Sequence, residues 1–234
     1  MFRYTKQLKF EFYKKLIYVS SAVEEIDVTE KQVEDIVKND HRSMFLQNNP
    51  TEGVLQAYGQ KMALDCIEKW AKEDCLITTN YLLELHNVVF EKIDPKAGRY
   101  REKYVKLRDS ELQPSFPYAI SGDILEFNDW LVKNQALVDT DALDSVVEFI
   151  STVYHDVTRI HPFSDGNGRT ARLFVNLFLR RFGYPPILIP KVDNDETMRL
   201  ALRMADMGDI QPLVKMNRKF LTDSVNLVTF LKKA

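Results

Sequence analysis

Two cysteines, eight glycines and nine prolines in 234 residues leave little material for a disulfide scaffold, a zinc ribbon or a β-rich fold punctuated by tight turns. Cys66 and Cys75 are not in CxxC spacing, so the expectation for both is a small buried apolar side chain in a reducing cytoplasm. No apolar run approaches the roughly 20 residues of a membrane span. Residues 1–12 mix Arg3, Lys6 and Lys9 with aromatics where a signal peptide has an apolar centre, which predicts a chain used whole and unanchored. Neither sign of charge is in excess. With 32 Lys and Arg against 34 Asp and Glu, the net charge of −2 supplies no summed positive field for a phosphate backbone, so neither nucleic acid nor a membrane is an expected partner.

What is present is helical periodicity, and the expected fold class is mainly α with a short β-hairpin. Across 140–160, Leu143, Val146, Val147, Ile150, Val153, Tyr154, Val157 and Ile160 recur on one helix face. Thr29 and Gln32 have capping-box spacing, and Thr51 precedes a second apolar series. Further helices are expected from about 79, from a cap at Ser121, over 195–207 and over 212–231. The run from Ala171 to Phe182 is apolar almost all round, which predicts a central buried helix stopped by Gly183 and the pair Pro185–Pro186. Residues 98–120, with Tyr100, Tyr104, Phe116 and Tyr118 around Pro114 and Pro117, read as the hairpin. The turn-rich interval 39–50 divides a helical segment, 1–50, from a core domain, 51–234.

The chemistry concentrates in 161–172, a loop running into the buried helix. Gly166 and Gly168 remove Cβ atoms where backbone amides can converge, and the helix N-terminus adds unpaired N–H groups and a positive dipole end. Arg169 and Arg172, three apart, can meet separate phosphoryl oxygens. Asp165 at the loop tip offers the hard oxygen that Mg²⁺ takes when phosphate and water fill most of its shell. His161 titrates in the range suited to a general base. Each feature alone is common; compressed into one loop they converge on polyphosphate chemistry. His155, six residues upstream and without a thiolate partner, reads as structural rather than as a zinc ligand.

The stretch from His161 to Arg172, HPFSDGNGRTAR, resembles the signature of the Fic family, HxFx(D/E)GNGRxxR, at every defined position. Ala97-Gly98-Arg99-Tyr100-Arg101 is similar to the family's approach to its target-docking flap, and Gly183-Tyr184-Pro185-Pro186, Gly208-Asp209 and Pro212 to its downstream part, so the resemblance covers about 79–221. It implies a Fic-fold helical bundle and transfer of AMP from ATP, the co-substrate, to a Ser, Thr or Tyr hydroxyl of a target protein. By the same resemblance His161 takes the hydroxyl proton, and Asp165 holds Mg²⁺ between the α- and β-phosphates. Gly166, Asn167 and Gly168 orient the phosphates, Arg169 and Arg172 contact the outer ones, and the nucleobase falls near Met198 and Asp206. The flap would pair with the target's backbone; Asp109, Ser110 and Glu111 stand at its tip, where many relatives are glycine-rich.

Ser20-Ser21-Ala22-Val23-Glu24-Glu25 resembles the family's inhibitory motif, (S/T)xxxE(G/N), with Ser20 and Glu24 four apart and Glu25 where Gly or Asn is expected. The resemblance implies that Glu24 pairs with Arg172 and crowds the γ-phosphate. Relatives with such a helix often self-associate, so a homodimer is expected, with no surface marked for it. Two further readings stay open: transfer of another group or removal of AMP on the same site, and a non-catalytic nucleotide-sensing module.

Overall fold

The computed structural model describes residues 4–38, 49–106, 113–189 and 194–232. In chain order its helices are α1 (Lys6–Val23), α2 (Glu30–Lys38), α3 (Glu52–Trp70), α4 (Thr79–Phe90), α5 (Ile120–Gln135), α6 (Leu143–Ile160), α7 (Asn167–Arg181), α8 (Asn194–Asp206) and α9 (Gln211–Leu231). No helix among the described residues is long and apolar enough to cross a membrane.

Several starts are set by local capping. The Thr29 N–H donates to Gln32 Oε1 at 2.8 Å and the Gln32 N–H to Thr29 Oγ1 at 3.2 Å, the reciprocal pair expected from their spacing. Thr51 Oγ1 accepts from the Val54 N–H at 3.4 Å and opens α3. Ser121 is not a cap. The chain turns through 116–119, where the Ala119 N–H reaches the Phe116 carbonyl, and Ala119 already has α-region dihedrals. Burial of Ile120 then starts α5 one residue earlier and leaves Ser121 within its first turn.

Helix α7 is the axis of the bundle. From Asn167 to Arg180 every residue except Gly168 is buried, and α7 packs against α6, α3 and α4 at once. Such a helix has no solvent face, which is why its sequence lacks amphipathic alternation. Its far end is anchored by two arginines: the buried Arg180 pairs with Glu68, and the partly exposed Arg181 donates to the carbonyls of Trp70 and Ala71 where α3 ends. Gly183 at φ 89° closes α7, with the Tyr184 N–H returning to the Leu179 carbonyl at 2.8 Å.

Residues of α1 and α2, among them Tyr13, Ile17, Val33 and Ile36, share the apolar core of α3, α6 and α7. Most of the turn-rich interval 39–50 lies outside the described residues. The described arms of the expected hairpin, 98–106 and 113–119, carry no strand; its tip, including Asp109, Ser110 and Glu111, lies outside the described residues. Burial of both cysteines is corrected: Cys66 is half-buried on α3, whereas Cys75 is exposed in the loop beyond it, 3.2 Å from the Tyr81 hydroxyl.

Candidate active site

Helix α6 ends on His161, and the residue leaves the helix in the left-handed region at φ 53°, ψ 58°. For a residue with a Cβ this conformation is strained, so surrounding bonds must hold it. Its Nδ1 meets the Thr158 carbonyl at 3.3 Å and must therefore be the protonated nitrogen, leaving Nε2 as the basic one. Burial pushes His161 down to about 4, and the Arg101 charge adds to this against the opposing Thr158 bond, so the ring is neutral near pH 7. It opens on a cleft of about 160 Å³ shared with Gly168, Thr158, Leu202 and Asp206. Asp206, expected near the nucleobase, accepts from His155 Nε2 at 2.7 Å, while Met198 packs against the core.

The loop after His161 is packed and bonded in place. Phe163 is fully buried, and both ends of the buried Asn167 amide bond its backbone, each at 2.8 Å. The Asn167 side chain thus holds the loop closed instead of facing the cleft. Gly166 sits at φ 73°, and a Cβ there would lie 2.1 Å from the Phe90 ring. Alanine at 166 combines a backbone penalty with overpacking, about 3 kcal/mol together, and should lower the melting temperature by roughly 10 °C in calorimetry. A Gly166→Ala chain that melts within two or three degrees of the parent would contradict this packing.

Asp165 projects from the loop tip with a side chain 77% exposed, leaning on Arg169 Nη2 at 3.1 Å. Among the described residues no group of three metal-ligating side chains forms, but Mg²⁺ bound to phosphates needs as little as one protein carboxylate, and an exposed carboxylate beside a helix N-terminus fits that need.

Glu24 occupies the cradle itself. It caps the C-terminus of α1, and its Oε1 accepts from Arg172 Nη2 at 2.5 Å while Oε2 lies 3.6 Å from Arg169 Nε. A Cβ on Gly168 would sit 3.2 Å from Glu24 Oε1, which puts the carboxylate directly against the first turn of α7. Burial works against the Arg172 charge, but Glu24 and Tyr154 outweigh it and hold the guanidinium above its ordinary range. Arg169, bonded to Gln56, lies over the Phe90 ring at 4.6 Å. Ser20 lines a small pocket beneath these arginines together with Gln60.

Two buried residues that bind this loop carried no assigned role in the sequence. His86 accepts from the Gly98 N–H through Nδ1 at 2.9 Å, so its Nε2 carries the proton and donates to the Asp165 carbonyl at 3.1 Å. Its ring stacks on Phe163 at 3.8 Å, and burial lowers its basicity. The signal was its register: Leu82, His86 and Phe90 fall at i, i+4 and i+8 on one face of α4. Arg101 is the other, with its side chain turned onto the signature loop. Above it, Tyr104, Phe116 and Tyr118 form an exposed row of rings, 5.8 and 5.6 Å between neighbours.

Residues 76–179 match the model of the Fic/DOC family. The chain carries a Fic domain. Similarity runs beyond the matched residues: the chain is 32% identical over 211 residues to a protein from Nematostella vectensis named protein adenylyltransferase Fic, covering 88% of this chain and 46% of that one. A Drosophila willistoni protein of the same name is 30% identical, covering 90% and 40%. The chain therefore spans less than half the length of these curated relatives. Among solved structures, Fic-1 (residues 134–508) from C. elegans superposes with a TM-score of 0.78 at 26% identity, over 99% of this chain and 67% of that one. A Fic domain containing signaling protein from Bacteroides thetaiotaomicron shares the fold, with a TM-score of 0.80 at 23% identity over 97% and 90%. These matches extend across α1, so the Fic domain here is joined to the helix that bears Glu24 as part of one shared architecture.

Proposed function

We propose that this chain is a Mg²⁺-ATP-dependent protein adenylyltransferase that moves AMP onto a Ser, Thr or Tyr hydroxyl of a target protein, and that Glu24 holds it in an inhibited state. The observation that carries the reading is the Glu24 carboxylate on Arg172 at the mouth of the α7 cradle, beside a neutral His161. A carboxylate there is a stand-in for an anionic ligand: the site is built to hold negative charge, and part of it is filled from within.

In the released state, the amides of the first α7 turn and the Arg169 and Arg172 guanidiniums hold the triphosphate. His161 Nε2 takes the proton of the acceptor hydroxyl as its oxygen bonds to the α-phosphorus; the bond from that phosphorus to the bridging oxygen breaks and pyrophosphate leaves with the electron pair. Asp165 would hold Mg²⁺, which supplies charge neutralisation on the phosphates. The chain itself contributes position and fixed dipoles, which is most of what phosphoryl chemistry asks of a protein. The unpaired Cys66 and Cys75 agree with a reducing cytoplasm as the place of action.

Intact-mass measurement of the wild-type and Glu24→Gly chains after incubation with ATP and Mg²⁺ tests the reading. A gain of one AMP in the variant above the wild-type level supports it. Absence of AMP transfer to the chain itself or to any protein of a proteome incubated with labelled ATP would refute it.

Glu25 bears on the strength of inhibition. It occupies the left-handed position that closes α1, φ 56°, with the Ile26 N–H returning to the Ser21 carbonyl at 3.0 Å and its own N–H to Ala22 at 3.3 Å. That conformation explains why the resemblance expects Gly or Asn there. Glu25→Gly should relieve about 0.5–1 kcal/mol of strain, net of glycine's entropy, and lower residual transfer by roughly two- to fivefold. Unchanged melting temperature and unchanged residual transfer would sink the argument.

A further inference from the structure

Arg101 is 3% exposed, and its guanidinium ends on three peptide carbonyls from three separate places in the chain. Nε donates to His161 O at 2.8 Å, Nη1 to Lys103 O at 3.0 Å and Nη2 to Ser115 O at 2.5 Å. Its backbone N–H donates to Pro162 O at 2.9 Å. Burial lowers its basicity, and among the described residues its hydrogen bonds go to carbonyl dipoles rather than to a carboxylate. A buried guanidinium without a paired carboxylate is an expensive way to fill space, so its use points to something an apolar side chain cannot do.

The three acceptors identify the task. Lys103 and Ser115 lie on the two arms that flank 107–112, and His161 is the base in its strained left-handed conformation. A planar fork has fixed angles between its donors, so the carbonyls it bonds move together or the bonds break. We infer that Arg101 is a positioning residue that couples the two described arms, 102–106 and 113–119, to the orientation of His161, so that a target protein seated on those arms meets the base in register. The inference rests on the adenylyl-transfer reading for its kinetic consequence but not for its structural one.

Arg101→Lys in the Glu24→Gly chain tests it, because lysine keeps the charge but cannot span three carbonyls. Expected are ATP affinity within about twofold of the parent by calorimetry and a transfer rate at saturating ATP lower by roughly 10- to 100-fold, the scale of a one-ångström misplacement. The second readout is independent of activity: the His161 backbone carbon shifts and HN–Hα coupling should leave their positive-φ values, and amide exchange should quicken over 102–106 and 113–119 but not in α6 or α7. A variant that keeps both the rate and the positive-φ signature overturns the inference, as does one whose lost rate is matched by lost ATP binding and a general fall in exchange protection. If the Glu24→Gly parent shows no transfer, the functional reading fails while the His161 signature still decides the coupling. Phe116→Ala, at an exposed ring on the second arm, provides the test where the lysine variant does not fold: it should shift the Arg101 Nε–H and His161 amide resonances, and no shift overturns the coupling.

Discussion

His161→Ala, introduced into the Glu24→Gly chain, is expected to slow AMP transfer by roughly 100- to 10,000-fold while leaving ATP affinity nearly unchanged. His161 stands at the end of α6, outside the first turn of α7 with its amides and arginines, so on the proposed reading removing its ring takes away the proton acceptor and little of the anion site. The pH dependence follows from the same burial. A base works while unprotonated; with His161 pushed down to about 4, transfer should be steady from pH 8 to about 6 and decline only as the pH nears 4. An imidazole at its ordinary 6.5 would already be about three-quarters protonated at pH 6. An acid limb centred near 6.5, or a double variant that still labels, would remove His161 from the role of base.

The second large effect is expected from Glu24→Gly alone. Charge-assisted hydrogen bonds contribute about 1.5–3 kcal/mol each, so freeing Arg172 for phosphate should raise ATP affinity and transfer by roughly 10- to 100-fold. The same change should weaken the ligand-free protein. Arg172 is buried, and without Glu24 its charge loses its carboxylate, so the apo chain should melt lower by a few degrees and recover when Mg²⁺ and ATP supply a new anion. Glu24→Gln separates charge from bulk: an amide of the same size should restore part of the affinity but still obstruct the cradle beside Gly168. Equal ATP affinity in wild type, Gln and Gly chains would show that Glu24 does not compete for the arginines.

Much of the fold was readable from local pattern. The capping box at Thr29 and Gln32, the Thr51 cap, the glycine stop at 183 and the α7 run that is apolar almost all round each depend on residues within one or two turns, and each appears in place. Ser121 misled because the entry to α5 is governed by the 116–119 turn and by burial of Ile120, neither of which leaves a capping signature. Cys75 misled because its loop is held at the surface through the carbonyl that Arg181 bonds from α7, 106 residues away.

Within the site, the division follows sequence distance. The residues from His161 to Arg172 are joined by covalent proximity: a helix end, a short loop and a helix start bring the candidate base, metal ligand and cradle close together along the chain. The set of candidate reactive groups is therefore legible in the order of residues along 161–172, and the resemblance names Arg172 as the expected partner of Glu24. It takes the packing of distant helices to lay Glu24 at the end of α1 on Arg172 across 148 positions, to bring His86 of α4 to the Asp165 carbonyl, and to let Arg101 join the arms at Lys103 and Ser115 to His161. Those contacts form because apolar faces of α1, α3, α4, α6 and α7 pack into one core, and the polar groups carried in with them must find partners among whatever backbone they meet.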